Sequence, residues 1–88
     1  MNKERRTRIE DARAKIADAE AALQAATEIL EQVRDDEQAA YDNMPPSLQE
    51  GERGQKMQES IGALDEALSE IELVDFEPIT GQLDTAAE

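Results

Sequence analysis

The chain has no cysteine and no histidine. Without cysteine it has neither a disulfide framework nor a thiolate nucleophile. Without histidine it lacks the usual general base and the commonest transition-metal ligand. Its only aromatic residues, Tyr41 and Phe76, supply too little bulk for an α/β or all-β core. No apolar run approaches the ~18–20 residues that a membrane span needs. The basic N-terminus lacks the apolar region of a signal peptide. A cytoplasmic location without membrane contact is expected.

Catalytic and ligand-binding signatures are missing as well. There is no Gly-x-Ser-x-Gly, no P-loop and no Gly-x-Gly-x-x-Gly; Gly51-Glu52-Arg53-Gly54 reads as a hairpin element rather than a phosphate cradle. The acidic run Asp35-Asp36-Glu37 has no cation-loop spacing, and the Glu-x-x-His pattern of di-iron bundles is impossible here. It reads as a solvated face. The expectation is a non-enzyme with no catalytic residue, no metal and no cofactor.

What the chain does have is charge and strong helix formers. Its 88 residues carry a net charge of −13. Residues 1–15 are net +3, and the remainder is net −16. Such a body repels nucleic acid and anionic membrane and attracts a basic protein surface. A chain this short is near the size at which one core is barely sufficient, so self-association would help it.

One long apolar seam organises the sequence. It runs Ile9, Ala12, Ile16, Ala19, Leu23, Ala26, Leu30, Val33, Glu37, Ala40, Met44, broken only by Glu37. Alternating steps of three and four are the a/d pattern of a coiled-coil helix. The a positions are mostly large and the d positions mostly small, which suits close approach of a partner helix. Ala22, Ala26 and Ile29 widen the stripe where a second helix is expected to pack. A second seam, Met57, Ile61, Leu64, Leu68 and Ile71, has the same spacing.

The predicted fold is all-α: a long antiparallel helical hairpin with a short C-terminal helical piece, dimerising into a bundle. The first helix spans about residues 3–42, with Thr7 as N-cap in a capping box with Glu10, or Asn2 as the alternative cap. The loop covers about 43–51, where Asn43 tolerates a left-handed helix end and Pro45-Pro46 break the helix. The second helix spans about 52–76, and residues 77–88 form the C-terminal segment, loose from Asp84 onward. Gly62, inside the second helix, implies close helix approach. With the turn centred near Leu48, which plugs the tip, Leu64 meets the Val33 region and Leu68 meets Leu30. The hairpin core is then Leu30, Val33, Leu48, Met57, Ile61, Leu64, Leu68 and Ile71.

The second helix is much shorter than the first, so the seam at Ile9, Ala12 and Ile16 lacks cover. An antiparallel homodimer crossing near Ile16 would supply it through Ile9, Ala12, Ile16, Ala19 and Leu23, bringing Arg13 near Glu20 and Arg5 near Glu28. The rival cover is a fold-back of the segment around Phe76, Ile79 and Leu83. On the second helix, Glu52, Glu59 and Glu66 recur every seven residues and, with Glu70, form an acidic face for a partner.

The stretch Arg34-Asp35-Asp36-Glu37-Gln38, then Tyr41-Asp42-Asn43-Met44-Pro45-Pro46-Ser47-Leu48-Gln49, then Glu52-Arg53-Gly54 is not explained by heptad composition. From about Val33 to Leu68 it resembles a group of small, acidic, uncharacterised helical proteins of tailed phages and prophages. The tail from Val74 to Glu88 departs from that group. The resemblance implies a viral or mobile-element origin in a bacterial cell, and an accessory protein that binds a host or viral protein. An acidic nucleic-acid mimic that inhibits a host DNA- or RNA-handling defence enzyme is the alternative; direct nucleic-acid binding is not expected.

Overall fold

The computed structural model describes all residues from Met1 to Glu88. The fold is all-α, with α1 Lys3–Asp42, α2 Pro46–Gln49, α3 Glu52–Glu72 and α4 Glu77–Ala86. Helix α1 begins at Lys3 because Asn2 caps it: the Asn2 side-chain oxygen accepts the Arg5 N–H at 2.9 Å. Asparagine is as good an N-cap as threonine and adds more than a turn of helix. Thr7 therefore lies inside the helix, its hydroxyl donating to the Lys3 carbonyl at 3.1 Å.

The chain forms two compact units, one of Ala26–Leu73 and one of Met1–Ala25 with Val74–Glu88. In the first, the end of α1 and the start of α3 are joined through a tip built on polar contacts. No residue of the chain takes a positive φ. Helix α1 instead ends on a tightened last turn, with Met44 N–H to the Tyr41 carbonyl at 3.0 Å. The Gln49 side-chain amide donates to that same carbonyl at 2.8 Å, and Gln58 donates to the Tyr41 hydroxyl at 2.7 Å. Tyr41 thus ties α1 to both α2 and α3. Leu48 does not plug the tip: it is 52% exposed. The closed position is Gly54, buried where α3 passes the end of α2. A Cβ there would overlap the Gln49 carbonyl oxygen and lie 2.6 Å from its carbon.

The covered line of α3 is Gly54, Met57, Ile61, Leu64, Leu68 and Ile71, with Ile61 the most deeply covered apolar residue at 8% exposure. The Arg34 guanidinium donates to Asp65 at 2.8 Å. The Arg34–Asp65 and Tyr41–Gln58 pairs both place the centre of the hairpin between Gln49 and Glu50, slightly past Leu48. Gly62 faces open space, with nothing within 4 Å of a Cβ built there, so it does not mark a close helix crossing. Gly81 in α4 is equally open. Exchanging either for alanine should therefore raise stability by about 1 kcal/mol, the intrinsic helix preference. Urea unfolding checks this; a loss of stability in both variants would contradict the open placement.

In the second unit, α3 has already ended at Glu72, before Phe76. The Asp75 carboxylate accepts the Glu77 N–H at 3.0 Å and starts a new helix, and Pro78 suits its first turn. Helix α4 presents Phe76, Thr80, Leu83 and Ala87 as its covered line, in steps of four, three and four. Its end is not loose. Asp84 pairs with Arg13 at 2.6 Å, and Arg6 donates to the Glu88 carbonyl at 2.9 Å. No basic residue lies in the last turn of α4, so Arg6 brings a cation to the negative end of that helix.

The register of α1 is rotated from the a/d expectation. Its half-buried positions are Ile9, Arg13, Ile16 and Leu23 in one unit, and Ala26, Thr27, Leu30, Arg34, Glu37, Gln38 and Tyr41 in the other, followed by Met44 just past its end. All but Ala26, at d, and Gln38 are a and e positions. The d-position alanines Ala12, Ala19 and Ala40 are exposed, and Val33 is 48% exposed. The physical reason is in the partners. Alanine at d offers little area, whereas Arg13, Arg34 and Tyr41 at e cover the seam with long stems and reach a polar group on the facing helix.

Candidate functional site

The unit containing the tip carries −10 of the chain's net charge of −13. On α3, Glu52, Glu59, Glu66 and Glu70 are all exposed, and no ion pair engages any of them. The covered line of α3 faces inward, so the heptad line through Glu52, Glu59 and Glu66 lies on solvent. Near its far end, Gly62, Asp65, Glu66, Ser69, Glu70 and Leu73 border a shallow groove. Leu73 there is 82% exposed. The groove therefore joins several carboxylates to one bare leucine. Only Asp65 among the carboxylates is held in place, by Arg34. Asp65 in turn holds the Arg34 pKa above its ordinary value, chiefly through the shared hydrogen bond and then through charge attraction.

A second groove lies near the tip, bordered by Glu37, Glu52, Arg53, Lys56, Met57 and Ser60. Glu37 is half-buried at its seam position. It shares this groove with Arg53 and Lys56 without forming an ion pair with either. The local charges offset one another, and no side chain here is placed as a nucleophile with a base beside it. No three carboxylates converge where a metal ion could sit. The melting temperature should accordingly stay within a degree on adding a chelator, calcium or magnesium; a shift of several degrees would contradict this.

In the other unit, the five residues expected at a dimer face are divided. Ile9, Ile16 and Leu23 are half-buried on the line beside Arg13, whose partner is on α4, while Ala12 and Ala19 are exposed. A second copy docking on Ile9, Ile16 and Leu23 would have to displace α4. The C-terminal segment is tied to this stretch of α1 through Arg13–Asp84 and Arg6–Glu88, with Phe76 and Leu83 half-buried and Ile79 46% exposed. Of the basic end, Arg6 and Arg13 bind the C-terminal segment of the same chain. Arg5 and Arg8 instead border an exposed patch with Met1, Ile9 and Ala12.

In the hairpin core, Leu30, Met57, Leu64, Leu68 and Ile71 are half-buried and Ile61 is buried, whereas Val33 and Leu48 are about half exposed. The residues missed by periodicity are the polar ones that set register: Arg13, Arg34, Tyr41, Asp65 and Asp84. A usable signal was present. Arg13 and Arg34 are three heptads apart, on the same line of α1.

No protein-family model matches the chain, and no curated protein or solved structure matches it either. No helix is long and apolar enough to cross a membrane.

Proposed function

We propose that this is a small acidic accessory protein of a tailed phage or prophage, acting by protein–protein interaction without catalysis and by self-association. Its docking surface is the outward face of α3, and its partner is a host or viral protein with a basic surface. One observation carries this reading: Glu52, Glu59, Glu66 and Glu70 are exposed and unpaired on a helix whose opposite side is covered. Exposed carboxylates without ion-pair partners along one helix are what a basic partner reads.

Mimicry of nucleic acid is the less favoured alternative. Residues seven apart on a helix recur at roughly 10.5 Å, whereas duplex DNA presents one charge per ~1.7 Å of axis. The acidic line is too sparse to copy that spacing. The test is capture of partners on immobilised protein at low and high salt, comparing wild type with a variant in which these four glutamates are glutamines. Loss of a specific band in the variant supports the assignment. Equal capture by both would contradict it, and capture of a nucleic-acid enzyme that collapses steeply with salt would favour mimicry.

A further inference from the structure

Helix α1 runs unbroken from Lys3 to Asp42, and its d and g positions carry a second pattern, exposed except at Ala26, which is half-buried. Between Lys15 and Asp36, the d and g positions are Ala19, Ala22, Ala26, Ile29 and Val33. Ile29 is 60% exposed, so it does not pack within the chain as a widened seam would. Charged residues make up 35% of the sequence, yet none of these five positions is charged. Depletion of charge at the centre of a patch is the compositional mark of an interface.

We propose that a second copy of this chain packs antiparallel on the d/g face of α1, with the two-fold axis at Ala26. The proposal rests on the self-associating reading above and supplies its geometry. In this register Ala26 meets its own copy, Ala19 meets Val33 and Ala22 meets Ile29. Each exposed large residue thus faces an alanine, and Lys15 faces Asp36 at both ends of the patch. This is the self-complementary arrangement that a two-fold interface requires. A slip of one heptad destroys it: one direction sets Asp36 on Ala22, and the other sets Lys15 on Ile29. The axis lies ten residues along α1 from a crossing at Ile16.

Sedimentation equilibrium on the intact chain tests the interface. The wild type should be a dimer. Ile29→Glu should weaken it at least tenfold with an unchanged circular dichroism spectrum, because Ile29 is 60% exposed within the chain. Lys15→Glu and Asp36→Lys should each weaken the dimer, and the double exchange should restore it. As the chain has no cysteine, Ala26→Cys should form a disulfide-linked dimer on mild oxidation, with Glu28→Cys on the outer face as the unlinked control. A wild type that is monomeric at high micromolar concentration would overturn the proposal. So would a dimer that tolerates Ile29→Glu and leaves Ala26→Cys unlinked. A monomer that still captures a partner through the α3 glutamates would sink the dimer alone; an intact dimer without capture would sink the docking face alone.

Discussion

Gly54→Ala is expected to destabilise the protein by about 1–3 kcal/mol, the range for forcing extra volume into a packed site. Alanine is a better helix former than glycine by about 1 kcal/mol, so propensity alone gives the opposite sign. The structure decides the sign through the neighbours. The added methyl would overlap the Gln49 carbonyl oxygen and sit 2.7 Å from the Gln49 Cα. Those are backbone atoms and cannot rotate aside. Either α3 shifts away from α2 or the Gln49 amide loses its bond to the Tyr41 carbonyl. The same exchange at Gly62, facing open space, is expected to stabilise. Thermal unfolding of the two variants compares them directly, since 1 kcal/mol moves the midpoint of so small a domain by about 4–8 °C. A stabilised Gly54→Ala would show that α2 does not press on α3.

Ile61→Ala carries the other large effect. Ile61 is the one apolar residue that is nearly closed off from solvent, at 8% exposure. Truncating a buried isoleucine costs about 2–5 kcal/mol through lost transfer energy and the cavity left behind. A chain of this length has a total stability of only about 4–13 kcal/mol, from roughly 0.05–0.15 kcal/mol per residue. The variant should therefore lose a large share of its stability, read as a lower urea midpoint. Leu73→Ala is the control. Leu73 is 82% exposed, and surface exchanges fall within about 0.5 kcal/mol. Equal losses at the two positions would contradict the assignment of the covered face of α3.

The helices themselves were legible because periodicity reports them: the large a residues of α1 and the Met57–Ile71 line of α3 are where burial falls. The phase of α1 was not legible. An a/d reading weighs alanine as apolar and arginine as polar. Here the arginine stems do the covering, because Asp65 and Asp84 stand within reach of their heads. Those acids lie 31 and 71 residues further along the chain, so no local pattern joins them to Arg34 and Arg13. The fold-back of α4 was visible only as the rival to a dimer, for the same reason. The tip was misread at Leu48 because its closure depends on a missing side chain, at Gly54, and on amide bonds to Tyr41. The carboxylate face of α3 was the part of the candidate site most open to reading. It follows from heptad spacing once the covered line of that helix is known.

The central structural claim is that α4 covers the N-terminal half of α1 within one chain. A nitroxide attached at Gln82→Cys, an exposed position on α4, tests it most directly in an isotope-labelled protein without other cysteines. The account predicts that the amide signals of α1 near Arg13 and Ile16 broaden, and that they stay broadened when the sample is diluted with unlabelled chains. Sharp signals there would contradict the fold-back. So would broadening that fades on dilution, because the cover would then come from another molecule.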